Sequence, residues 1–203
     1  MNLAKCQLAV CPHCGTKKEI IRLISGNTIG AVLWSDSKNV APMLPFASPL
    51  QKCPHCDHFY FMYDVIIEDG ENYSMEEGWL NFKDAIKAKN ELELNTKEKM
   101  HDWTMIMVWA YNDIIRRGEE PTHVQYEIFK NNVSSMLEAN IFEDNVLLKA
   151  ELYREIGKYE QCAEILEKFS FKEKFLSDIA NKILIKAKEK DNKVFILEII
   201  LHS

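Results

Sequence analysis

The chain has 203 residues, of which 47% are hydrophobic and 28% charged, and its formal net charge is −6. This composition is typical of a globular protein with one or two domains. The acidic balance is unfavourable for a nucleic-acid-binding protein, because such proteins usually carry a basic excess. We find no apolar run long enough for a membrane span and no signal-peptide pattern, so we expect a cytoplasmic protein with reduced thiols.

The first 70 residues differ in composition from the rest. Five of the six prolines lie before Gly70, at positions 12, 42, 45, 49 and 54. Because proline obstructs helices, we predict strands and turns in residues 1–70 and mostly helix in residues 71–203. The expected fold class is therefore α+β, with an antiparallel-strand domain at 1–70 and an all-α domain at 71–203.

Four segments of the first part have strand-like composition: residues 19–24, 29–34, 39–44 and 59–68. The run Phe59–Glu68 (FYFMYDVIIE) is apolar at almost every position. A strand with one solvated face would alternate between apolar and polar residues, so this pattern predicts a strand covered on both faces.

Two near-identical motifs, Cys11-Pro-His-Cys14 and Cys53-Pro-His-Cys56, contain four of the six cysteines. The two intervening residues let a tight turn aim both sulfurs at one point, and two such turns supply a tetrahedral four-thiolate site. We predict that Cys11, Cys14, Cys53 and Cys56 bind one Zn²⁺ and make residues 1–70 a zinc-ribbon domain. Four thiolates leave no open coordination position, so we expect a structural ion.

Three histidines, His13, His55 and His58, lie in or beside these motifs. As zinc ligands they would be redundant next to the cysteines, so we expect them to be exposed turn residues. Thiol redox chemistry is a rival interpretation, since Cys-Pro-His-Cys is also the active-site motif of oxidising thioredoxin-like proteins. There the motif occurs once and opens a helix. Here it occurs twice, and the second copy runs into a β-rich segment, which favours zinc.

Residues 71–203 contain repeated helix-start signals and apolar residues at helical spacing. Capping boxes, or close approximations of them, begin at Ser74, Thr122, Asn140 and Ser170. The predicted helices are 75–92, 97–117, 123–138, 142–156, 159–169, 171–190 and 192–201. Short connections between them predict antiparallel neighbours.

Residues 143–169 resemble a single tetratricopeptide repeat. The residues at the repeat's small, aromatic, turn and packing positions are Ala150, Tyr153, Gly157, Tyr159, Cys162, Leu166 and Phe169. Cys162 stands where alanine is usual, Val146 where tryptophan is usual, and the closing proline is absent. The resemblance and its departures together indicate a helical-hairpin array of this style and not a multi-repeat solenoid.

The stretch 25–45 combines two glycines, a tryptophan and a Pro-Met-Leu-Pro segment. Such a hairpin is a candidate partner-binding surface through Trp34, Asp36, Met43 and Leu44. The alternative, which we favour, is that the hairpin simply packs on the helical part.

Most of the chain resembles an uncharacterised bacterial family. The pattern consists of CPHCG, then SGNT-GA--WSD-K--APMLP, then a second C-P-x-C knuckle and tetratricopeptide-like helices. The resemblance implies a zinc ribbon followed by tetratricopeptide-like helices, and it implies no particular activity.

No nucleophile–base set, carboxylate pair or metal-hydrolase motif appears at interpretable spacing, so we predict that the protein is not an enzyme. Our first hypothesis is a zinc-stabilised interaction or scaffold module that binds another protein or a peptide. The alternative is a nucleic-acid-associated zinc ribbon in which Tyr60, Tyr63 or Trp34 stacks on bases. A thiol redox protein is the second alternative.

Overall fold

The computed structural model describes residues 1–201. Contacts between Cα atoms divide the chain into two compact units. The first unit comprises Met1–Ala31, Val40–Ala110 and the chain from Ile200, and the second comprises Val32–Asn39 and Tyr111–Ile199. Each unit is therefore assembled from segments that are distant in the sequence.

Small antiparallel sheets dominate the N-terminal part, and six α-helices follow within residues 1–201. This mixed content confirms the predicted combination of strands and helices. No helix of the described chain is both long enough and apolar enough to cross a membrane. The strands are β1 (Asn2–Leu3), β2 (Gln7–Val10), β3 (Lys17–Ile20), β4 (Leu23–Ser25), β5 (Val32–Trp34), β6 (Asn39–Val40), β7 (Leu50–Lys52), β8 (Phe59–Phe61), β9 (Ile67–Asp69) and β10 (Ile196–Ile199).

The strands of the first unit form short antiparallel pairs. Strand β2 lies between β3 and β9, β7 pairs with β8, and β1 pairs with β4. The side chains of Ala9, Ile20 and Tyr60 are buried with two of the cysteines in one small apolar cluster. Leu50 of β7 and Phe61 of β8 are buried as well, outside this cluster.

The helices are α1 (Phe82–Glu91), α2 (Lys97–Arg116), α3 (His123–Glu138), α4 (Val146–Glu155), α5 (Tyr159–Lys168) and α6 (Lys174–Lys188). In the first unit, Asn81 caps α1 by accepting from the Asp84 amide. The indole Nε1 of Trp103 donates to the Ala85 carbonyl at 2.8 Å. This bond satisfies the one polar atom of a fully buried tryptophan, which then serves as a core residue.

The second unit is built on helices α3 to α6 and on strand β5, which pairs antiparallel with β10. Helices α4 and α5 pack against each other, and Gly157 between them adopts a φ of 76°, a left-handed turn that favours glycine. Ala150, Cys162 and Leu166 are buried in the core they share with α6. The predicted helical hairpin is thus present, and its kinship with tetratricopeptide repeats stays a prediction.

The prediction of one long buried strand at residues 59–68 is wrong. Strand β8 ends at Phe61, a 3-10 helix covers Met62–Asp64, and β9 begins only at Ile67. All three residues of β8 are buried, but Ile66 is 69% exposed. A break in the middle of the run turns its second half outward, a feature that an unbroken apolar sequence does not reveal.

The predicted helix at 192–201 is also wrong, because residues Ile196–Ile199 form strand β10. Lys190 takes a positive φ of 55° at the end of α6, and the Asp191 side chain accepts from the Lys193 amide, so the chain turns there. The β-branched residues that follow favour an extended strand once a partner such as β5 is available.

Candidate metal centre

Each cysteine motif lies at the tip of a two-stranded hairpin. Strand β2 ends immediately before Cys11, and β3 begins shortly after Cys14. Strand β7 ends immediately before Cys53, and β8 begins shortly after Cys56. The register between the two strands of each hairpin fixes where its turn lies, and the turn carries the two cysteines.

The first turn is held by two backbone hydrogen bonds. The amide of Gly15 donates to the Cys11 carbonyl at 2.9 Å, and the amide of Cys11 donates to the Thr16 carbonyl at 2.9 Å. Gly15 closes the turn with a φ of 73°.

The second turn repeats this pattern at equivalent positions. The amide of Asp57 donates to the Cys53 carbonyl at 3.1 Å, and the amide of Cys53 donates to the His58 carbonyl at 2.8 Å. Asp57 takes the positive φ, 61°, that Gly15 has in the first turn. A non-glycine residue is strained in this conformation, although aspartate is among the residues that tolerate it best. The two motifs therefore form the same knuckle twice.

The four cysteine sulfurs converge on one point. All four Sγ atoms lie within 4.8 Å of one another. The Sγ atoms of Cys11 and Cys56 are 3.7 Å apart, and those of Cys14 and Cys53 are 3.6 Å apart. A tetrahedral ion with metal–sulfur bonds of about 2.3 Å requires sulfur–sulfur distances of roughly 3.8 Å. The donor set fits zinc in chemistry and in geometry.

Two thiols of this cluster have pKa values shifted in opposite directions. Hydrogen bonds from the Thr16 side chain and backbone lower the pKa of Cys14 to about 5. For Cys56 the His58 amide favours the thiolate, but burial and hydrogen bonds with the other three thiols outweigh it and raise the pKa to about 12. Four sulfurs this close can all be thiolates only when a cation lies among them, so a metal ion bound here would deprotonate the whole group.

The surroundings of the sulfurs are mainly apolar. Cys11 and Cys53 are buried, Cys56 is partly exposed and Cys14 is exposed. Tyr60 packs in the same cluster, and its hydroxyl group is buried without a hydrogen-bond partner. Burial, followed by the nearby sulfurs, raises the pKa of Tyr60 to about 12, so the phenol stays neutral. Because Tyr60 is only 3% exposed, its ring is not available to stack on a base.

The predicted partner-binding residues fall into two groups. Met43 and Leu44 belong to the first unit and are 37% and 40% exposed. Their backbone lies so close to Gly26 that a Cβ there would meet the Met43 carbonyl oxygen at 2.0 Å. Glycine at position 26 is therefore what allows the 43–44 segment to lie against this loop.

Trp34 and Asp36 belong to the second unit, where Trp34 is half-buried and Asp36 is buried. Asp36 is fully buried, and its carboxylate accepts from Arg116 and from the side-chain amide of Asn112. The Arg116 guanidinium also stacks over the Trp34 ring, 4.9 Å from its centroid. The Asp36 side chain is thus engaged inside its own unit, and its role in partner binding stays a prediction.

Sequence reasoning missed the buried polar cluster to which Asp36 belongs. The amide of Asn112 donates to both carboxylate oxygens of Glu155, at 3.1 and 3.0 Å. On the same helix, Arg154 forms a fully buried ion pair with Glu151 at 2.5 Å. The partners come from residues 36, 112–116 and 151–155, so no local sequence motif predicts the cluster.

No protein-family model, curated protein or solved structure matches this chain.

Proposed function

We propose that Cys11, Cys14, Cys53 and Cys56 bind one structural Zn²⁺, that residues 1–70 form a zinc ribbon, and that the protein is a zinc-stabilised interaction module. The observation that carries the proposal is the convergence of four sulfurs from two matching knuckles at tetrahedral spacing.

The ion is proposed to be structural because every coordination position is taken by a thiolate. A closed site offers no place for a water molecule or a substrate, so the ion contributes folding energy and not catalysis. Structural zinc supplies an apparent ~10–16 kcal/mol in small zinc-dependent domains. That contribution is large compared with what the small apolar cluster around Tyr60 can supply.

The interaction role is supported by two surfaces that the zinc site does not involve. Met43, Leu44 and Phe46 are exposed apolar residues in one short segment of the first unit, and Phe46 is 50% exposed. In the second unit, the α4–α5 hairpin is the type of element that helical arrays use to bind peptides. We propose another protein or a peptide as the partner.

The zinc content of a Cys53→Ser variant tests the metal centre. The wild-type protein is expected to contain one zinc per chain after purification without added metal. The variant is expected to contain close to none, because removal of one of four thiolates opens the site. Circular dichroism should show that helices α3 to α6 remain, since they lie in the second unit.

Cys6→Ala is the matched control. Cys6 is a buried cysteine of the same unit, and it does not belong to the four-sulfur group. This variant should keep its zinc. Wild-type protein without zinc that instead carries a Cys11–Cys14 disulfide would refute the metal centre and support thiol redox chemistry.

A further inference from the structure

Two histidines, one from each knuckle region, lie face to face beside the four-sulfur cluster. The rings of His13 and His58 are stacked, with centroids 3.6 Å apart and an angle of 12° between their planes. Both residues are exposed to solvent. His55, which occupies in the second knuckle the position that His13 occupies in the first, is not part of this pair.

A sulfur of the cluster faces the same pair. One ring nitrogen of each histidine and the Sγ atom of Cys56 lie within 4.8 Å of one another. Cys56 is also one of the four converging cysteines, so its sulfur is common to both groups of donors. A thiolate keeps lone pairs after it has bound one ion, and it can bridge two.

The hydrogen bonding of His58 orients its ring and leaves Nε2 as the nitrogen that can bind a metal ion. Its Nδ1 lies 3.2 Å from the carbonyl oxygen of Cys56. A carbonyl group only accepts, so this contact is a hydrogen bond in the tautomer with the ring proton on Nδ1, which has its lone pair on Nε2. A backbone carbonyl that holds the second nitrogen of a histidine is the usual arrangement around metal-bound imidazoles.

The charge of the first site favours a second cation. Four thiolates around one Zn²⁺ carry a formal charge of −2, and the two neutral imidazoles add none. A second divalent ion that shares Cys56 would make the whole group neutral. The stacked rings must turn so that their nitrogens point at one ion, and their exposure permits this rotation.

We propose that His13, His58 and the bridging sulfur of Cys56 form a second, solvent-open site for a divalent ion of the zinc type. The proposal rests on the proposed four-cysteine site, because the Cys56 sulfur belongs to both groups of donors. Imidazole and thiolate are donors that zinc prefers. Three protein donors leave the fourth position to water, so this ion binds more weakly than the first and exchanges with solvent.

Equilibrium dialysis of the zinc-loaded protein against increasing Zn²⁺ tests the second site, with bound metal measured by mass spectrometry. The wild type is expected to hold one equivalent tightly and to take up a second at higher free zinc. His13→Ala and His58→Ala should each lose the second equivalent and retain the first. Titration of the zinc-loaded protein with Co²⁺ should add a thiolate-to-cobalt charge-transfer band, because Cys56 binds the added ion.

His55→Ala is the matched control and should keep both equivalents. Wild-type protein that stops at one equivalent overturns the second site and leaves the first intact. Loss of the second equivalent in His55→Ala, or cobalt uptake without the charge-transfer band, also overturns it. Absence of any tightly bound zinc contradicts the four-cysteine site itself, so the two failures are distinguishable.

Discussion

The carboxylate of Glu155 is buried. Within residues 1–201, no basic side chain forms an ion pair with it. Burial raises its pKa well above the usual range, and the nearby Glu151 and Asp36 carboxylates add to the effect. The Arg154 guanidinium and the hydrogen bond from Asn112 oppose it without cancelling it. The folded protein therefore holds a proton on Glu155 at pH values where the unfolded chain has released it.

This shift predicts that wild-type stability falls as the pH rises above the unfolded glutamate pKa towards the folded one. In that window the native state binds more protons than the unfolded state, so each pH unit costs up to about 1.4 kcal/mol. Glu155→Gln removes the titration and keeps an acceptor for Asn112. Urea unfolding at several pH values should show equal stabilities in acid and a growing advantage of Glu155→Gln as the pH rises.

Glu164→Gln is a suitable control for the pH series. Glu164 is exposed, and its hydrogen bond with Lys168 lowers its pKa. Its small effect should have the opposite sign, because a lowered pKa stabilises the fold above the unfolded value. A constant difference between Glu155→Gln and the wild type across the pH range would contradict an elevated pKa at Glu155.

The cysteine motifs could be interpreted from sequence because each knuckle is local. Four residues and a turn carry all the necessary information, and the second copy confirms the first. The surroundings of Asp36 could not be interpreted in this way, since its partners Asn112 and Arg116 lie 76 and 80 positions later in the chain. Composition suggested an exposed, partner-binding carboxylate, and tertiary packing buried it.

At the scale of single elements, helix α3 has a complete capping box. Thr122 accepts from the Gln125 amide at 3.2 Å, and the Gln125 side chain accepts from the Thr122 amide at 2.8 Å. The predicted start of α3 is confirmed. The other proposed starts at Ser74, Asn140 and Ser170 do not cap helices, because α1, α4 and α6 begin later.

Thr122→Ala is expected to destabilise the protein by about 1 kcal/mol, because it leaves the N3 amide of α3 without its acceptor. The free energy of unfolding in urea measures this loss. Asn131→Ala, an exposed position inside the same helix, should be neutral or slightly stabilising, since alanine favours helix and no packing is lost. Equal effects of the two substitutions would show that the cap contributes nothing.

Helix ends were harder to predict than helix existence. Asn145, and not Asn140, caps α4 by accepting from the Leu148 amide at 3.1 Å. Asn140 instead takes a φ of 53° in the connection between α3 and α4. Asparagine is suited both to a helix cap and to a left-handed turn, so local sequence cannot decide between the two.

For the whole molecule, the proposed interaction role predicts that partner capture depends on the exposed apolar segment at residues 43–46. The double variant Met43→Ser/Leu44→Ser should lose partners that the immobilised zinc-loaded wild type retains from native cytosol, because apolar contact area is removed from the surface. Quantitative mass spectrometry of the retained proteins measures the loss.

Ile185→Ser is the matched control for this capture. Ile185 is 55% exposed on α6, so the substitution removes a similar apolar surface elsewhere. The control should retain the wild-type partners. Identical capture by all three proteins would show that the 43–46 segment is not the contact surface.

The two compact units do not coincide with a division at residue 70. The first unit includes α1 and the chain up to Ala110, and the second includes Val32–Asn39 of the N-terminal part. Composition locates where strands give way to helices, but it carries no information on which distant segments pack together. Whether residues 1–70 and 71–203 are separately folding domains stays a prediction.

The pairing of β5 with β10 has a consequence for the newly made chain. Trp34 pairs with Ile196, which is added to the growing chain 162 positions later. Synthesis at roughly 5–20 residues per second leaves β5 without that neighbour for many seconds. During this interval the edge of β5 that pairs with β10 is open to other chains, so we expect chaperones to bind the nascent protein.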